Sequence, residues 1–596
     1  MSMPSSGRVS FDDATLVDGP QSSEHWKQLP HQPGDELLNS SQELLICFRE
    51  MLKSENDESS PQLPPETLAV WSCLMGYCEA LATHKQRRYR IFPIPIDAIR
   101  RLVQQDFKKE LLLELKSFRK DGPHRDNVRE VANAVWSRAV SKPNVRDELH
   151  ANSVYVCLRG SIDRKSLDCF GAAIVTISGL QQLGIDNSLL TLSEDHAYER
   201  HVDPSTGAIL GTCEIAVPGS TKLAQSKRGR DISTTFEANK NSKLTPEASW
   251  LYMASNPVMC DSISMTLVAV MGNINCTIEA KPNGTCFASG QLFDIKRDLL
   301  WELYGCGAMR KFPFGMMELG DCEMYRASPK GEEWITVPDM KEPILMNEQL
   351  FREAMDVNQI IYDEHQVYPY LYAGHYHREA GNEGPDDEYR LVEAMRLYAQ
   401  AARVASRYRY ETGDCLQLNK HTSAVALLIA EDILREGGEQ KAEPRDWTKL
   451  ENAVAVYTWL LAFFDSLFLW EENSGGNSFV EILSPSNKHS MSKLFQLFSL
   501  DMRTRALDLV FQPMNSIDDD GGGQKTPHRV VATSESIPYF RSPQSKRLAV
   551  TGILVAALRK PKVSIREMEL AIPADDSHDV ENRDGGVGRR SKRSRR

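Results

Sequence analysis

The sequence lacks any long apolar run and any start that resembles a secretion signal. No stretch approaches the roughly 18 consecutive apolar residues that a membrane-spanning helix needs. The first residues, MSMPSSGRVSFDDATLVDGP, contain no apolar core of the kind that secretory signals carry. We therefore expect neither a membrane partner nor secretion.

The sequence also lacks CxxC motifs and an excess of positive charge. The chain contains 12 cysteines but no CxxC motif, and without a secretion signal we expect reduced, mostly buried thiols. The formal net charge is −12. An acidic chain is poorly suited to general nucleic-acid binding and is a plausible host for a basic peptide.

The chain is long enough for several structural units. With 596 residues, 41% of them hydrophobic, its length predicts about three to five units. Strand-like patterns are confined to about residues 151–217 and helical patterns dominate elsewhere, so we predict a mostly α fold, α+β overall. The predicted boundaries are a largely disordered extension (1–63), helices with an α+β unit (64–247), a helical region (248–412), C-terminal helices (413–512), a linker (513–536), a docking segment (537–573) and a disordered basic tail (574–596).

The segment 361–379, IYDEHQVYPYLYAGHYHRE, concentrates histidine and tyrosine. Its histidines do not have HExxH or His-x3-His spacing, so we predict no metal site at His365, His375 and His377. Large residues instead recur at helical spacing around a small Ala-Gly pair (373–374), and an alanine-rich helical pattern follows. This small–large interlock resembles a tetratricopeptide helix pair, and stacked pairs of that kind usually bind peptides on a concave face.

A second interpretation is a cysteine-dependent acyl transferase or hydrolase. SVYVCLRG is predicted to be a strand, SLDCFGAAIVTISGLQQLGI a buried helix, and SLLTLSEDHAYERHVD and ILGTCEIAVPG two further strands. A cysteine at a helix start gains thiolate character, a histidine can act as its base, and a carboxylate can orient that histidine. Cys169, His196 and Glu214 have this order, which resembles a transglutaminase-like or papain-like core. The competing interpretation is a buried structural cysteine with a partnered histidine.

Six motifs distributed between about Pro64 and Leu570 have a common resemblance. They are LSEDHAY, SWLYMASNPVMCD, LLWELYGCGAMRKFPF, YDEHQVYPYLYAGHYHR, FFDSLFLWEEN and YFRSPQSKRLAVTGILVAAL. Together they resemble the menin family of nuclear scaffold proteins. The resemblance implies a small transglutaminase-like α+β unit in the N-terminal half that lacks the catalytic set, then a tetratricopeptide-like helical palm, then further C-terminal helices. It also implies no enzymatic activity and no cofactor.

The resemblance implies particular partners as well. In that family a deep central cavity takes a short Phe/Arg/Pro-containing peptide. The peptide belongs to a mixed-lineage-leukaemia-type histone H3 lysine-4 methyltransferase or to a JunD-type transcription factor. The complex then engages a chromatin reader of the lens-epithelium-derived-growth-factor type. We accordingly expect a scaffold that regulates transcription.

The cavity of the family falls on identifiable positions of this chain. Leu371 stands where Met is usual, Val268 where Phe is usual, Tyr398 where the family has a Trp, and Glu318 where it has Asn. No equivalent is found for the acidic pair that meets basic groups of the peptide. The implied cavity residues are Asp195, His196, Val268, Met271, Phe312, Phe314, Glu318, Tyr368, Leu371, Tyr372 and Tyr398.

The C-terminal end, GRRSKRSRR, is strongly basic. Such a run commonly serves as a nuclear-import signal or as a weak, non-specific contact to DNA phosphates, and the alternative is a solvated tail without a function. With the menin resemblance we predict a nuclear location. The residues concerned are Arg589, Arg590, Lys592, Arg593, Arg595 and Arg596.

Overall fold

The structure is a computed structural model that describes the chain between residues 29 and 466, with gaps. The predicted linker, docking segment and basic tail (513–596) lie outside the described residues, as do most of the predicted C-terminal helices. The described residues are 29, 32–55, 64, 66–83, 90–109, 115, 118–119, 122, 124–139, 153–159, 167–193, 197–203, 205–214, 230–231, 257–280, 286–327, 334–336, 341–380, 387–406, 455–456, 458–460, 462–463 and 466.

The N-terminal part consists of helices around one apolar helix. The second helix, TLAVWSCLMGYCEALAT, is apolar on all sides, so it is stable only when neighbours surround it. The helices are α1 (Ser41–Glu55), α2 (Thr67–Thr83), α3 (Ile96–Arg101, continued by a π-helical turn, Leu102–Phe107), α4 (His124–Ala139), α5 (Val154–Arg159) and α6 (Cys169–Gln182), with a short ribbon of β1 (Leu37–Leu38) and β2 (Ile94–Pro95).

The prediction of a largely disordered extension is wrong for residues 32–55. Helix α1 buries Leu44, Phe48 and Leu52, which lie one turn apart on the same face. The Phe48 ring packs edge-to-face on Trp71 of α2, with ring centroids 4.6 Å apart. This burial offsets the entropy cost of ordering the segment, which therefore belongs to the folded body.

An antiparallel sheet forms the core of the α+β unit. Its strands are β3 (Ser188–Leu192), β4 (Ala197–Val202), β5 (Ile209–Glu214), β6 (Arg230–Asp231) and β7 (Val258–Met259), in the order β6-β5-β4-β3-β7. The helix predicted for SLDCFGAAIVTISGLQQLGI is confirmed as α6, and it packs against β3 and β4. The segment SLLTLSEDHAYERHVD, which was predicted as one strand, forms the two strands β3 and β4 of a hairpin.

The prediction that SVYVCLRG forms a strand is wrong, because these residues form α5. Helix α5 lies against α2, where the Val154 backbone N–H donates to the Ser72 hydroxyl at 3.1 Å. Gly76 of α2 leaves room for this approach, since a Cβ there would lie 2.0 Å from the Ser153 hydroxyl oxygen. Tertiary packing overrides the β propensity of the valine-rich segment.

The second half is built from helices joined by short ribbons. Two of the helices have a serine N-cap. The Ser262 hydroxyl accepts a hydrogen bond from the Met265 N–H, and the Ser289 hydroxyl accepts one from the Leu292 N–H. The helices are α7 (Ile263–Gly272), α8 (Gly290–Gly305), α9 (Pro313–Met324), α10 (Lys341–Tyr362), α11 (Tyr368–Ala380) and α12 (Asp387–Ser406), and the ribbons pair β8 (Thr277–Ala280) with β9 (Cys286–Ala288) and β10 (Tyr325–Ala327) with β11 (Trp334–Thr336). Within the described ranges, no helix combines the length and hydrophobicity that crossing a bilayer requires.

Successive helices α9 to α12 pack on one another through glycine against aromatic rings. Gly374 of α11 faces Tyr398 of α12, and a Cβ on that glycine would lie 2.9 Å from the tyrosine ring. Gly320 of α9 faces the Phe351 ring of α10 at the same distance. The small–large interlock predicted for the α11–α12 pair is confirmed, and the predicted mostly α fold with small sheets is confirmed with it.

Replacement of Gly315 by alanine should destabilise the protein by about 1–3 kcal/mol, because it overpacks the core. The added Cβ would lie 2.3 Å from Cγ1 of Val268, a β-branched side chain on α7 with little rotamer freedom. Thermal unfolding followed by intrinsic fluorescence measures the effect.

The matched control is Gly305→Ala, at another helical glycine. No atom lies within 4 Å of its ideal Cβ. Alanine is favoured over glycine inside a helix by roughly 0.5–1 kcal/mol, so this variant should be neutral or slightly more stable. Equal melting temperatures for the two variants would contradict the packing described here.

Candidate functional site

Three aromatic side chains follow one another along the exposed side of α11. Tyr368, Tyr372 and His375 are spaced four and three residues apart, so they share a face of the helix, and we name them the aromatic row. Neighbouring ring centroids are 6.2 Å apart, with interplanar angles of 77° and 61°. All three side chains are partly exposed. Half-exposed rings in edge-to-face contact offer an apolar surface with polar tips, which suits a peptide.

Tyr398 lies behind the aromatic row rather than within it. Its side chain is fully buried, with its ring against Gly374. Its hydroxyl oxygen is 2.6 Å from Nδ1 of His375. The resemblance places a ligand-stacking ring at Tyr398, and the structure instead places it where it supports the imidazole of the row.

Two phenylalanines at the start of α9 form the second aromatic group. Phe312 is buried, Phe314 is partly exposed, and their ring centroids are 5.9 Å apart at an interplanar angle of 82°. Helices α9 and α11 pack against each other. The Tyr362 hydroxyl, at the end of α10, donates to the carbonyl oxygen of Lys311 beside this pair. The predicted aromatic residues therefore lie on adjoining elements.

The predicted apolar floor is packed in the interior. Val268 and Met271 are fully buried on α7, and Leu371 is buried on α11. Val268 fills the space beside Gly315. A larger side chain at position 268 would not fit there unless α9 moved. These residues position the exposed rings and present almost no surface of their own to a ligand.

Glu318 is paired with a buried lysine. Its carboxylate oxygen lies 3.0 Å from Nζ of Lys296, which also donates to the carbonyl oxygens of Gly272 at 2.7 Å and Ile274 at 3.4 Å. Burial alone would favour the neutral amine, but Glu318, together with smaller contributions from neighbouring groups, outweighs burial and raises the pKa of Lys296, which stays charged. Burial, with a contribution from Glu318, raises the pKa of the nearby Asp321 to about 7. Lys296 was not predicted, since nothing in the sequence pattern of α8 distinguishes a buried lysine from a surface one.

The three histidines of segment 361–379 have different surroundings. The His365 Nδ1 atom is 2.6 Å from the Tyr362 carbonyl oxygen, and His375 contacts Tyr398. His377 is buried, and burial lowers its pKa to about 4. Sequence reasoning missed the place of His375 in the aromatic row, although its spacing of three from Tyr372 is visible in the sequence.

Several predicted residues lie outside what the structure describes. Asp195 and His196 lie between β3 and β4 in undescribed positions, and the side chain of Glu214 is not described either. Cys169 begins α6 as predicted, and its thiol is partly buried. The arrangement of Cys169, His196 and Glu214 therefore stays a prediction.

The fold and these surfaces define a class of protein: a helical-repeat protein that carries an α+β unit and an aromatic surface suited to peptides. A sequence profile of the family described as Menin matches residues 102–483. The chain belongs to the menin family, as its motifs predicted.

A solved structure shares the fold. The chain is similar to a crystal structure of menin that is described as revealing the binding site for Mixed Lineage Leukemia (MLL) protein. The TM-score is 0.58 at 24% sequence identity, and the match covers 81% of this chain and 93% of that chain. At this identity the likeness establishes a common fold.

Acidification should destabilise the protein through His377. An unfolded chain protonates this imidazole near the ordinary pKa of 6.5, whereas the folded protein does so only near 4. Between these values the unfolded state binds more protons, so stability falls as pH falls, by at most about 1.4 kcal/mol per pH unit. His377→Gln should flatten this part of the profile of melting temperature against pH.

His365→Gln is the control, since it leaves His377 in place and should keep the profile of the unmodified chain. The difference between His377→Gln and the other two proteins reports the protonation of His377 together with that of Glu393, whose charge interacts with it. A constant offset between His377→Gln and the unmodified chain across this pH range would show that His377 is not protonated differently on unfolding.

Proposed function

We propose that the protein is a scaffold that binds a short peptide containing Phe, Pro and Arg over the aromatic row and Phe314. The observation that carries this proposal is the set of half-exposed rings on adjoining helices α9 and α11. A peptide phenylalanine buried against Phe314 and Tyr372 would contribute about 1.5–3 kcal/mol. An arginine over a tyrosine face would add roughly 0.5–2 kcal/mol. A few anchors of this kind dominate most interfaces.

The family and the similar structure suggest which peptide this is. The menin crystal structure has a binding site for MLL protein, so we propose a peptide of a mixed-lineage-leukaemia-type histone methyltransferase as the first partner. A JunD-type transcription factor and a chromatin reader of the lens-epithelium-derived-growth-factor type are the further partners that family membership suggests. In this proposal the protein regulates transcription as an adaptor in the nucleus.

Charge pairing makes a smaller contribution to this binding than apolar contact. Glu318 is engaged with Lys296, and the exposed Asp261 is bonded to Lys311 at 2.8 Å. A basic peptide side chain would have to compete with these lysines. We therefore propose that cation–π contact with the tyrosines provides most of the recognition of arginine.

We propose that the protein acts without catalysis. At the start of α6 the carboxylate of Asp168 accepts a hydrogen bond from the Gly171 N–H at 2.6 Å. The group that accepts this N-terminal N–H of the helix is thus the Asp168 carboxylate and not the Cys169 thiol. This arrangement supports the structural interpretation of the cysteine over the hydrolase interpretation.

Titration of the full chain with a fluorescent peptide containing a Phe-Pro-x-Arg-Pro core tests the proposal. We expect saturable binding that Tyr372→Ala weakens by tenfold or more, about 1.4 kcal/mol, because an exposed anchor ring is removed. Raising the salt concentration should weaken binding only slightly, since few charges are paired.

Tyr389→Ala is the matched control, because Tyr389 is an exposed tyrosine on α12 outside the aromatic row. It should bind the peptide like the unmodified chain. Equal affinity for the two alanine variants would place the binding surface elsewhere, and absence of binding by the unmodified chain would contradict this peptide class.

Deletion of residues 588–596 should shift a fluorescently tagged chain from the nucleus to the cytoplasm, because it removes the six basic side chains that an import receptor would bind. Deletion of the nine residues 574–582 is the control of equal length. It keeps the basic run and should leave the nuclear signal intact. Nuclear signal that persists in both variants would assign import to another segment.

A further inference from the structure

We propose that His124, Glu199 and His201 form a binding site for a divalent transition metal ion, zinc by preference, between α4 and the five-stranded sheet. We name these residues the His-Glu-His cluster. They lie apart from the aromatic row, on other elements. Two imidazoles and one carboxylate are a ligand set that zinc uses with water in the fourth position.

The three ligand atoms are already close together. They lie within 4.8 Å of one another, and Nε2 of His124 is 3.0 Å from Oε1 of Glu199. Bond lengths of about 2.0–2.2 Å at tetrahedral angles put ligand atoms roughly 3.4 Å apart. The longest separation therefore needs to shorten by at most about 1.4 Å, which rotation of the two imidazoles can provide.

Strand β4 and helix α4 bring the three ligands together. Glu199 and His201 are two residues apart on β4, so both side chains project from the same face of the sheet. His124 is the first residue of α4, and its ring stacks on that of His201 with centroids 4.1 Å apart. His124 is 75 residues from Glu199 in sequence, so only the fold brings it to the two strand residues.

A glycine on the neighbouring strand makes room for His201. In the register of β4 and β5, His201 pairs with Gly211. A Cβ on that glycine would lie 2.4 Å from Cε1 of the imidazole and 3.1 Å from its Nδ1. Any side chain at position 211 would displace the ring from the cluster, so the sheet is locally shaped around this imidazole.

Charge balance favours a cation at the same place. The Glu199 side chain is completely buried, and a buried carboxylate is costly unless positive charge or hydrogen bonds offset it. The ring of His124 contacts the Glu199 carboxylate and also stacks on the imidazole of His201. A divalent ion would serve the carboxylate and both imidazoles at once. The His124 side chain is 15% exposed, which leaves a path for the ion.

The test uses the full chain after treatment with a chelator, titrated with Zn²⁺ alone by calorimetry and with Co²⁺ alone by visible absorption. We expect each chain to bind one equivalent of the metal ion, and we expect the melting temperature of the protein to rise. His201→Gln should lower the affinity by more than the roughly 10- to 100-fold that loss of a supporting partner costs at metal sites. Gly211→Ala keeps all three ligands and should also weaken binding.

His365→Gln is the matched control, since it removes a histidine outside the cluster, and it should bind like the unmodified chain. Zn²⁺ uptake that survives His201→Gln would show adventitious binding and overturn the proposal, as would absence of stoichiometric uptake. If His201→Gln fails to fold, the Co²⁺ spectrum of the unmodified chain decides. Bands of nitrogen and oxygen coordination support the cluster, whereas thiolate-to-cobalt charge transfer would assign the metal to cysteines.

Discussion

Burial of α2 on all sides is the constraint on which the rest of the structure depends. This helix contacts α3, α5 and α6 of the N-terminal part and α7 and α8 of the second half. Its residues from Leu68 to Cys78 are almost completely buried, and each large side chain contributes about 1.5–3 kcal/mol when it leaves water. No exposed face remains, so the α+β unit and the helical half must both be present for α2 to be stable.

In the helical half, Lys296 connects buried polar groups of different helices. Its ammonium group connects the end of α7, through the Gly272 carbonyl, with Glu318 of α9. Removing one partner would leave a buried charge at a cost of several kcal/mol, so the helices are held at one separation. Phe314 lies one turn before Glu318 on α9, so this ion pair anchors the part of the helix that carries the second aromatic group.

Periodicity predicted most helices of the second half because their apolar residues recur at helical spacing over several turns. The same reasoning failed at Val154, where a short valine-rich segment suits a strand equally well and only contact with Ser72 of α2 decides. The family resemblance predicted which aromatic residues belong to the site, but the burial of Tyr398 follows from its contact with Gly374 in another helix. The pairing of Lys296 with Glu318 depends on a distance that no sequence pattern contains. Positions that depend on one element were predictable, and positions that depend on two elements were not.

The two candidate sites use burial in opposite ways. The rings of the aromatic row are partly exposed, and the proposed peptide would bury them, whereas the carboxylate of Glu199 is already withdrawn from water, and the proposed metal ion would offset its charge. They lie on different elements, α11 for the row and α4 with β4 for the cluster, and α2 packs against both α6 and α7 between them. The α+β unit covers the side of α2 that the helical half leaves open, and α2 in turn packs against α7, whose Val268 lies against Gly315 in the first turn of α9. Through these contacts the α+β unit supports the helix that carries Phe314.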